Sequence, residues 1–274
     1  MISDRLRSIM SSALMLLAAA VFLYPLIWMF LGSFKPNTEI FDTRQFWPSE
    51  WTGEFYQILF SGENFSFWRS LANSVFISLG QAVGATAFAT MAGYALGVRP
   101  FRGRGALILL GAATIFIPAQ MIALPLFSWI NDLGLFDSPW GVALPGMVSG
   151  LGLLFFTRVF SQVPRELLEV GRMEGASEWR VFTSVLPLLT PFLVAFGFAH
   201  FVLAWHAHVI PLLILHSETA RTLPLSLAAL YGSSLNSPQA VLMAGSTLGM
   251  LPLILVFALA YPRLKSALQE FVAQ

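Results

Sequence analysis

The residues of this chain best equipped for chemistry are its four histidines, His200, His206, His208 and His216, all in or at the end of one apolar stretch. Imidazole can ligate a metal or carry a proton. His206 and His208, however, are two residues apart and do not share a face of a continuous helix, so a helical metal pair is excluded unless the helix breaks there. The chain has no cysteine, which removes disulfides, thiolate zinc sites and a cysteine nucleophile. Lys35 and Lys265 are the only lysines, and neither lies in a G-x-x-x-x-G-K-[ST] loop, so nothing cradles a triphosphate and the chain is not expected to hydrolyse ATP. H-E-x-x-H and G-x-S-x-G are absent too, leaving metalloprotease and esterase chemistry without a constellation. No catalytic or metal-binding residue is expected.

The elements that carry these residues are set by composition. Of 274 residues, 57% are hydrophobic and only 11% charged, against about 25% charged in an ordinary soluble domain. A membrane-crossing helix needs about 20 mostly apolar residues. Six segments qualify: 11–34, 71–98, 106–130, 140–157, 186–215 and 240–261. This predicts an all-α polytopic membrane protein of one transmembrane domain spanning 1–274. Arg5 and Arg7 precede the first segment as in a signal peptide, but its apolar run exceeds the roughly 7–15 residues of a signal core, so an uncleaved span is expected. Pro118 and Pro125 in the third segment, Pro187, Pro191 and Pro211 in the fifth, and Pro252 in the sixth predict bends.

Lys, Arg, Asp and Glu fall outside the six segments, with Arg158 at the edge of the fourth. Placing the N-terminus in the cytoplasm puts eleven of the 15 basic residues inside and leaves Lys35, Arg44, Arg69 and Arg221 outside. The positive-inside bias therefore predicts two cytoplasmic termini. Between Lys35 and Ser70, Trp47, Trp51, Phe55, Tyr56 and Trp68 predict an interfacial helix or an aromatic belt. Polar residues within apolar spans are candidates for a translocation pathway when they face a bundle interior. Gln81, Gln120, Trp205, His206 and His208 are those candidates; an interhelical hydrogen bond is the competing reading for each glutamine. Gly80, Gly84, Ala87 and Gly93 point to close helix packing.

One charged island, 161–185, separates the fourth and fifth segments. After Pro164, the residues Leu167, Leu168, Val170 and Met173 alternate with Arg165, Glu166, Glu169 and Arg172 as in an amphipathic helix of about two turns. Gly175 is placed to end it, and Glu178 and Trp179 to open a second short element before Leu186 and Pro187. Composition leaves two readings open, a structural interfacial helix and a docking helix.

The run from Glu169 through Gly175, Ala176 and Trp179 to Leu186 and Pro187 resembles the E-A-A-x3-G…L-P loop of binding-protein-dependent ABC importer permeases, most of all the maltose-type carbohydrate permeases. Dispersed matches extend the resemblance over nearly the whole chain: Ser33 to Pro36, Asn73 and Ser74, Tyr94 to Leu96, Phe101 to Arg104, Pro125 to Leu135, and Trp205. The resemblance implies a core of two homologous permeases, two ATPase subunits that hold ATP and magnesium, and an extracytoplasmic solute-binding protein. It implies a prokaryotic cytoplasmic membrane, contact with membrane lipid, no nucleic acid and no cofactor on this chain. Glu166, Glu169, Arg172, Gly175, Ala176, Trp179 and Pro187 become the ATPase-coupling residues, and a sugar or sugar-like solute the cargo. The chain departs from the family at Val170 and Gly171, where alanines are usual, and in a run from Gly175 to Pro187 one residue shorter. It departs again at Trp205, His206, Ala207 and His208, where W-N-acidic is usual. A non-sugar solute and an ion-gradient-driven secondary transporter are the alternatives, the latter resting on the histidines alone.

Overall fold

The computed structural model describes residues 4–42, 44–63, 65–233 and 239–272, and among these the chain is helical throughout, with no strand. Five helical stretches of the described residues are long and apolar enough to cross a bilayer. A sixth is reached if one sharply bent pair counts as a single broken span.

By packing the chain divides into two units. The first joins Met1–Trp68 to Ser226–Leu251. Within it α1 (Asp4–Gly32) is apolar over its length and leaves Leu14, Leu16 and Phe22 exposed, as a lipid-facing helix does. Its end packs on α13 (Gln239–Gly249), where Gly32 lies close to Met243. The aromatic segment forms one short helix, α2 (Glu54–Ser61), whose Leu59 packs towards Gly245 of α13. Phe34 contacts the rings of Trp51 and Tyr56, and Phe60 stacks on Trp68. Lys35 is fully buried there and donates to the Gln45 carbonyl, while the Ser33 and Tyr56 hydroxyls meet at 2.7 Å. These bonds tie the segment back to the end of α1.

The second unit joins Arg69–Leu225 to Pro252–Gln274. Its longest helix is α3 (Phe67–Val98), of 32 residues. The third expected span is not one helix: α4 (Arg104–Ile115) and α5 (Ala119–Asp132) are bent by 103°. Pro118 causes the break, because it has no N–H to continue the ladder and disfavours helical geometry at Ile117. The fourth span consists of α6 (Pro139–Gly146) and α7 (Gly150–Ser161), separated by three residues and capped anew by Ser149. In the island lie α8 (Arg165–Met173) and α9 (Glu178–Val185). A 3-10 turn at Leu186–Leu189 leads into α10 (Thr190–Trp205), and α11 (Val209–Ile214) follows a break at His206 to His208. The fifth apolar segment is therefore two helices. The remaining helices are α12 (Leu223–Ser233) and α14 (Leu251–Val272), the latter with Pro252 in its first turn and Pro262 within.

Glycine decides how closely α3 approaches α7. A Cβ on Gly93 would collide with backbone and Cβ atoms of Phe156, and one on Gly97 would lie 2.8 Å from the Phe160 Cβ and the Thr157 carbonyl. The two positions are one turn apart, so a stripe of α3 lies directly on the α7 backbone. Around this contact Phe156, Phe160, Tyr94, Leu168, Val181, Phe182, Val185 and Phe196 form one buried apolar cluster.

Candidate functional site

The charged island folds as its local chemistry requires. Glu166 in the first turn of α8 and Arg172 in the last complement the helix dipole. Beyond the last turn, the Gly175 amide donates to the Arg172 carbonyl and the Ala176 amide to the Gly171 carbonyl, both at 3.0 Å. This is a Schellman closure, and it needs the left-handed φ of 77° that Gly175 adopts. The Ser177 hydroxyl then accepts the Arg180 amide and starts α9.

The apolar side expected of α8 divides in two. Leu168 alone is buried, in the cluster with Val181 and Phe182. Leu167, Val170 and Met173 are exposed by 52%, 56% and 87%. Their spacing of three residues aligns them along one face. Glu166, Glu169 and Glu174 are exposed beside them. Gly171 faces inward, where a Cβ would lie 3.2 Å from Val181. Trp179 and Pro187 are exposed and Ala176 packs against the cluster.

Arg172 is half-buried and committed within the chain. Its Nε donates to Glu178 Oε1 at 2.9 Å, with Nη2 at 3.4 Å from Oε2. The hydrogen bond to Glu178 raises the guanidinium pKa further, outweighing the opposing effect of burial. The same carboxylate accepts the Tyr94 hydroxyl at 2.9 Å and pairs with Arg99. Sequence reasoning missed Glu178, Tyr94 and Arg99 as a group. The available signal was the span end, where a tyrosine one turn from the boundary and an arginine just past it face the water-side loops.

The pathway candidates are dispersed over the second unit. Gln81 is buried on α3 and donates to the Val142 carbonyl at 2.9 Å, the interhelical bond expected as its competing reading. Gln120 is exposed in the first turn of α5. Trp205 is buried at the end of α10, stacked on Phe201. His206 and His208 are exposed in the break after α10, where the His206 Nδ1 lies 2.8 Å from the Val202 carbonyl. The helix is thus interrupted at the one place where a histidine pair would require it. Among the described residues, no three metal-ligating side chains are gathered.

The sequence family described as binding-protein-dependent transport system inner membrane component matches residues 86–269. The arabinooligosaccharides transport system permease protein of Halalkalibacterium halodurans is 33% identical over 87% of this chain and 86% of its own length. The trehalose transport system permease protein of Mycobacterium tuberculosis is 32% identical over 88% of each. Among solved structures, a chain of a bacterial ABC transporter involved in the import of the acidic polysaccharide alginate superposes with a TM-score of 0.80. That match covers 95% of this chain and 97% of the other at 24% identity, and so speaks for the fold alone. With its apolar helices, its island between the fourth and fifth segments and these relatives, the chain belongs to the inner membrane components of binding-protein-dependent transport systems, a multi-pass inner-membrane permease subunit and not an enzyme.

Proposed function

We propose that this chain forms half of the translocation pathway of an ATP-driven importer for a sugar or sugar-like solute, and that α8 is the element docked on the ATPase subunit. The observation that carries the docking reading is the face of α8: three apolar side chains exposed in a polar loop, rimmed by three glutamates. An exposed apolar ridge with a charged rim suits a protein partner. Glu166 and Glu169 would meet basic or backbone donors there, and the Gly175 turn holds the helix end in place. Both termini lie in the cytoplasm on this reading, in keeping with the basic residues gathered on that side. ATP and magnesium belong to the ATPase, and a second homologous permease supplies the other half of the pathway. The sugar assignment is supported by the relatives, permease proteins of arabinooligosaccharides and trehalose transport systems.

The test is co-expression with a second permease, an ATPase subunit and a solute-binding protein of this family from the same organism. A complex whose ATPase responds to binding protein loaded with an arabinooligosaccharide or trehalose is the expected result. Because the chain lacks cysteine, Glu169→Cys gives a single crosslinking site, expected to capture the ATPase subunit. Capture of no ATPase would overturn the docking reading, and a transport-competent complex with this chain as its sole permease would overturn the pairing.

A further inference from the structure

Glu178 stands where three elements meet. Its carboxylate receives the Arg172 guanidinium from the last turn of α8, the Tyr94 hydroxyl from the last turns of α3, and Arg99 just beyond α3. The rest of the attachment of α8 is apolar, through Leu168 and the close approach of Gly171 to Val181. Apolar burial is non-directional, so it resists separation of two helices but does little to fix their relative rotation. Charge-assisted hydrogen bonds to a carboxylate do have direction. Tyr94 is a fixed donor, its ring 5.4 Å from Phe160 and 5.2 Å from Phe182. Gly93, directly before it, and Gly97, three residues after it, hold α3 on the backbone of α7.

We propose that Glu178 is a positioning residue that makes α8, α9 and the cytoplasmic end of α3 move as one body, with Tyr94 and Arg99 forming the α3 side of the joint. The proposal rests on α8 being the ATPase-facing element. Motion received on the Leu167, Val170 and Met173 face then reaches α3, and through the glycine stripe α7, instead of being absorbed by rotation of α8 on its apolar seat. Packed elements with discrete contacts transmit such displacements; loose ones dissipate them.

The experiment uses the assembled complex with its partner permease and ATPase subunits. Spin labels at Arg165→Cys on α8, outside the docking face, and Phe101→Cys just after α3 report the distance across the joint, both sites being exposed. Distances are read by pulsed electron paramagnetic resonance without nucleotide and with magnesium and ATP under blocked hydrolysis. In the labelled chain with an intact joint, the distance is the same in both states. With Glu178→Gln, and independently with Tyr94→Phe, which keeps the buried ring, the distance shifts on ATP binding by more than the width of the intact distribution. A role in stability alone would lower yield but leave the distance independent of nucleotide, and that outcome overturns the proposal. If Glu178→Gln does not assemble, Tyr94→Phe decides. Loss of the Glu169→Cys crosslink to the ATPase would instead remove the docking reading on which the joint depends, so the two failures are told apart.

Discussion

Gly171 of α8 faces Val181 of α9 so closely that a Cβ would lie 3.2 Å from the valine Cγ2. A glycine inside a short helix is unfavourable by about 1 kcal/mol relative to alanine. Its placement here is explained by packing, since Val181 is buried and β-branched and has little rotameric freedom with which to yield. Gly171→Ala is therefore expected to give no stabilisation: the propensity gain of about 1 kcal/mol is offset by an overpacking cost of about 1–3 kcal/mol. Thermal unfolding of the detergent-purified protein checks this. A rise in Tm would show that α8 and α9 are free to separate.

Gly175 differs, because a Cβ there would meet no atom within 4 Å and only the backbone is constrained, at φ 77°. The left-handed conformation costs an L-residue roughly 1–2 kcal/mol, less for asparagine. Stability should fall in the order glycine, asparagine, alanine, with leucine no worse than alanine. Hydrogen exchange of the Gly175 and Ala176 amides, which close the helix, should accelerate in the same order. A leucine variant far worse than alanine would mean that the space is occupied in the assembly, as by a docked partner.

These two glycines show what the sequence conveyed and what it withheld. Gly175 was legible because a helix end followed by glycine has a local cause. The apolar segments and the bend at Pro118 were legible for the same reason, although the 103° angle depends on what α4 and α5 pack against. The Arg172–Glu178 pair was not legible, since either residue alone reads as solvated charge and their third partner, Tyr94, lies 84 positions from Glu178. Exposure of Leu167, Val170 and Met173 was equally hidden, because amphipathic spacing says that two faces differ and not which is covered.

Asp137, between α5 and α6, gives a prediction in pH. Burial would raise its pKa, but hydrogen bonds from Ser217 and from the His216 amide outweigh it and hold the carboxyl below its ordinary 3.8. A folded pKa below the unfolded one means that the ionised form favours the folded state. The contribution is present above the unfolded pKa and is lost as pH falls from there through the folded value. Protection of the His216 and Ser217 amides should thus be constant from neutral pH down to the ordinary carboxylate range and decline below it. Asp137→Asn should show weaker protection without that acidic transition. A transition unchanged in the variant would assign it to another carboxylate.

The break between α6 and α7 supplies the last test. A helix that ends within a span leaves carbonyls without intrahelical partners, and hydrocarbon offers none. Two side chains reach this end: Gln81 from α3 donates to the Val142 carbonyl, and His200 from α10 places Nε2 2.9 Å from the Gly146 carbonyl. Since a carbonyl only accepts, Nε2 of His200 carries the proton. Two intramembrane polar residues thereby find a structural use, and the mostly apolar composition of the fourth segment concealed the break that they stabilise. Gln81→Leu and His200→Phe should each destabilise by about 0.6 kcal/mol, up to about 1.7, the range of side-chain hydrogen bonds between membrane helices. Because Gln81 packs against Gly146, whose carbonyl His200 reaches, the two sites are neighbours, and the double variant should depart from the sum of the two by about 0.5 kcal/mol or more. Reversible unfolding in mixed micelles measures all three variants. A Gln81→Leu protein of unchanged stability but altered solute-stimulated ATPase in the complex would return Gln81 to the pathway.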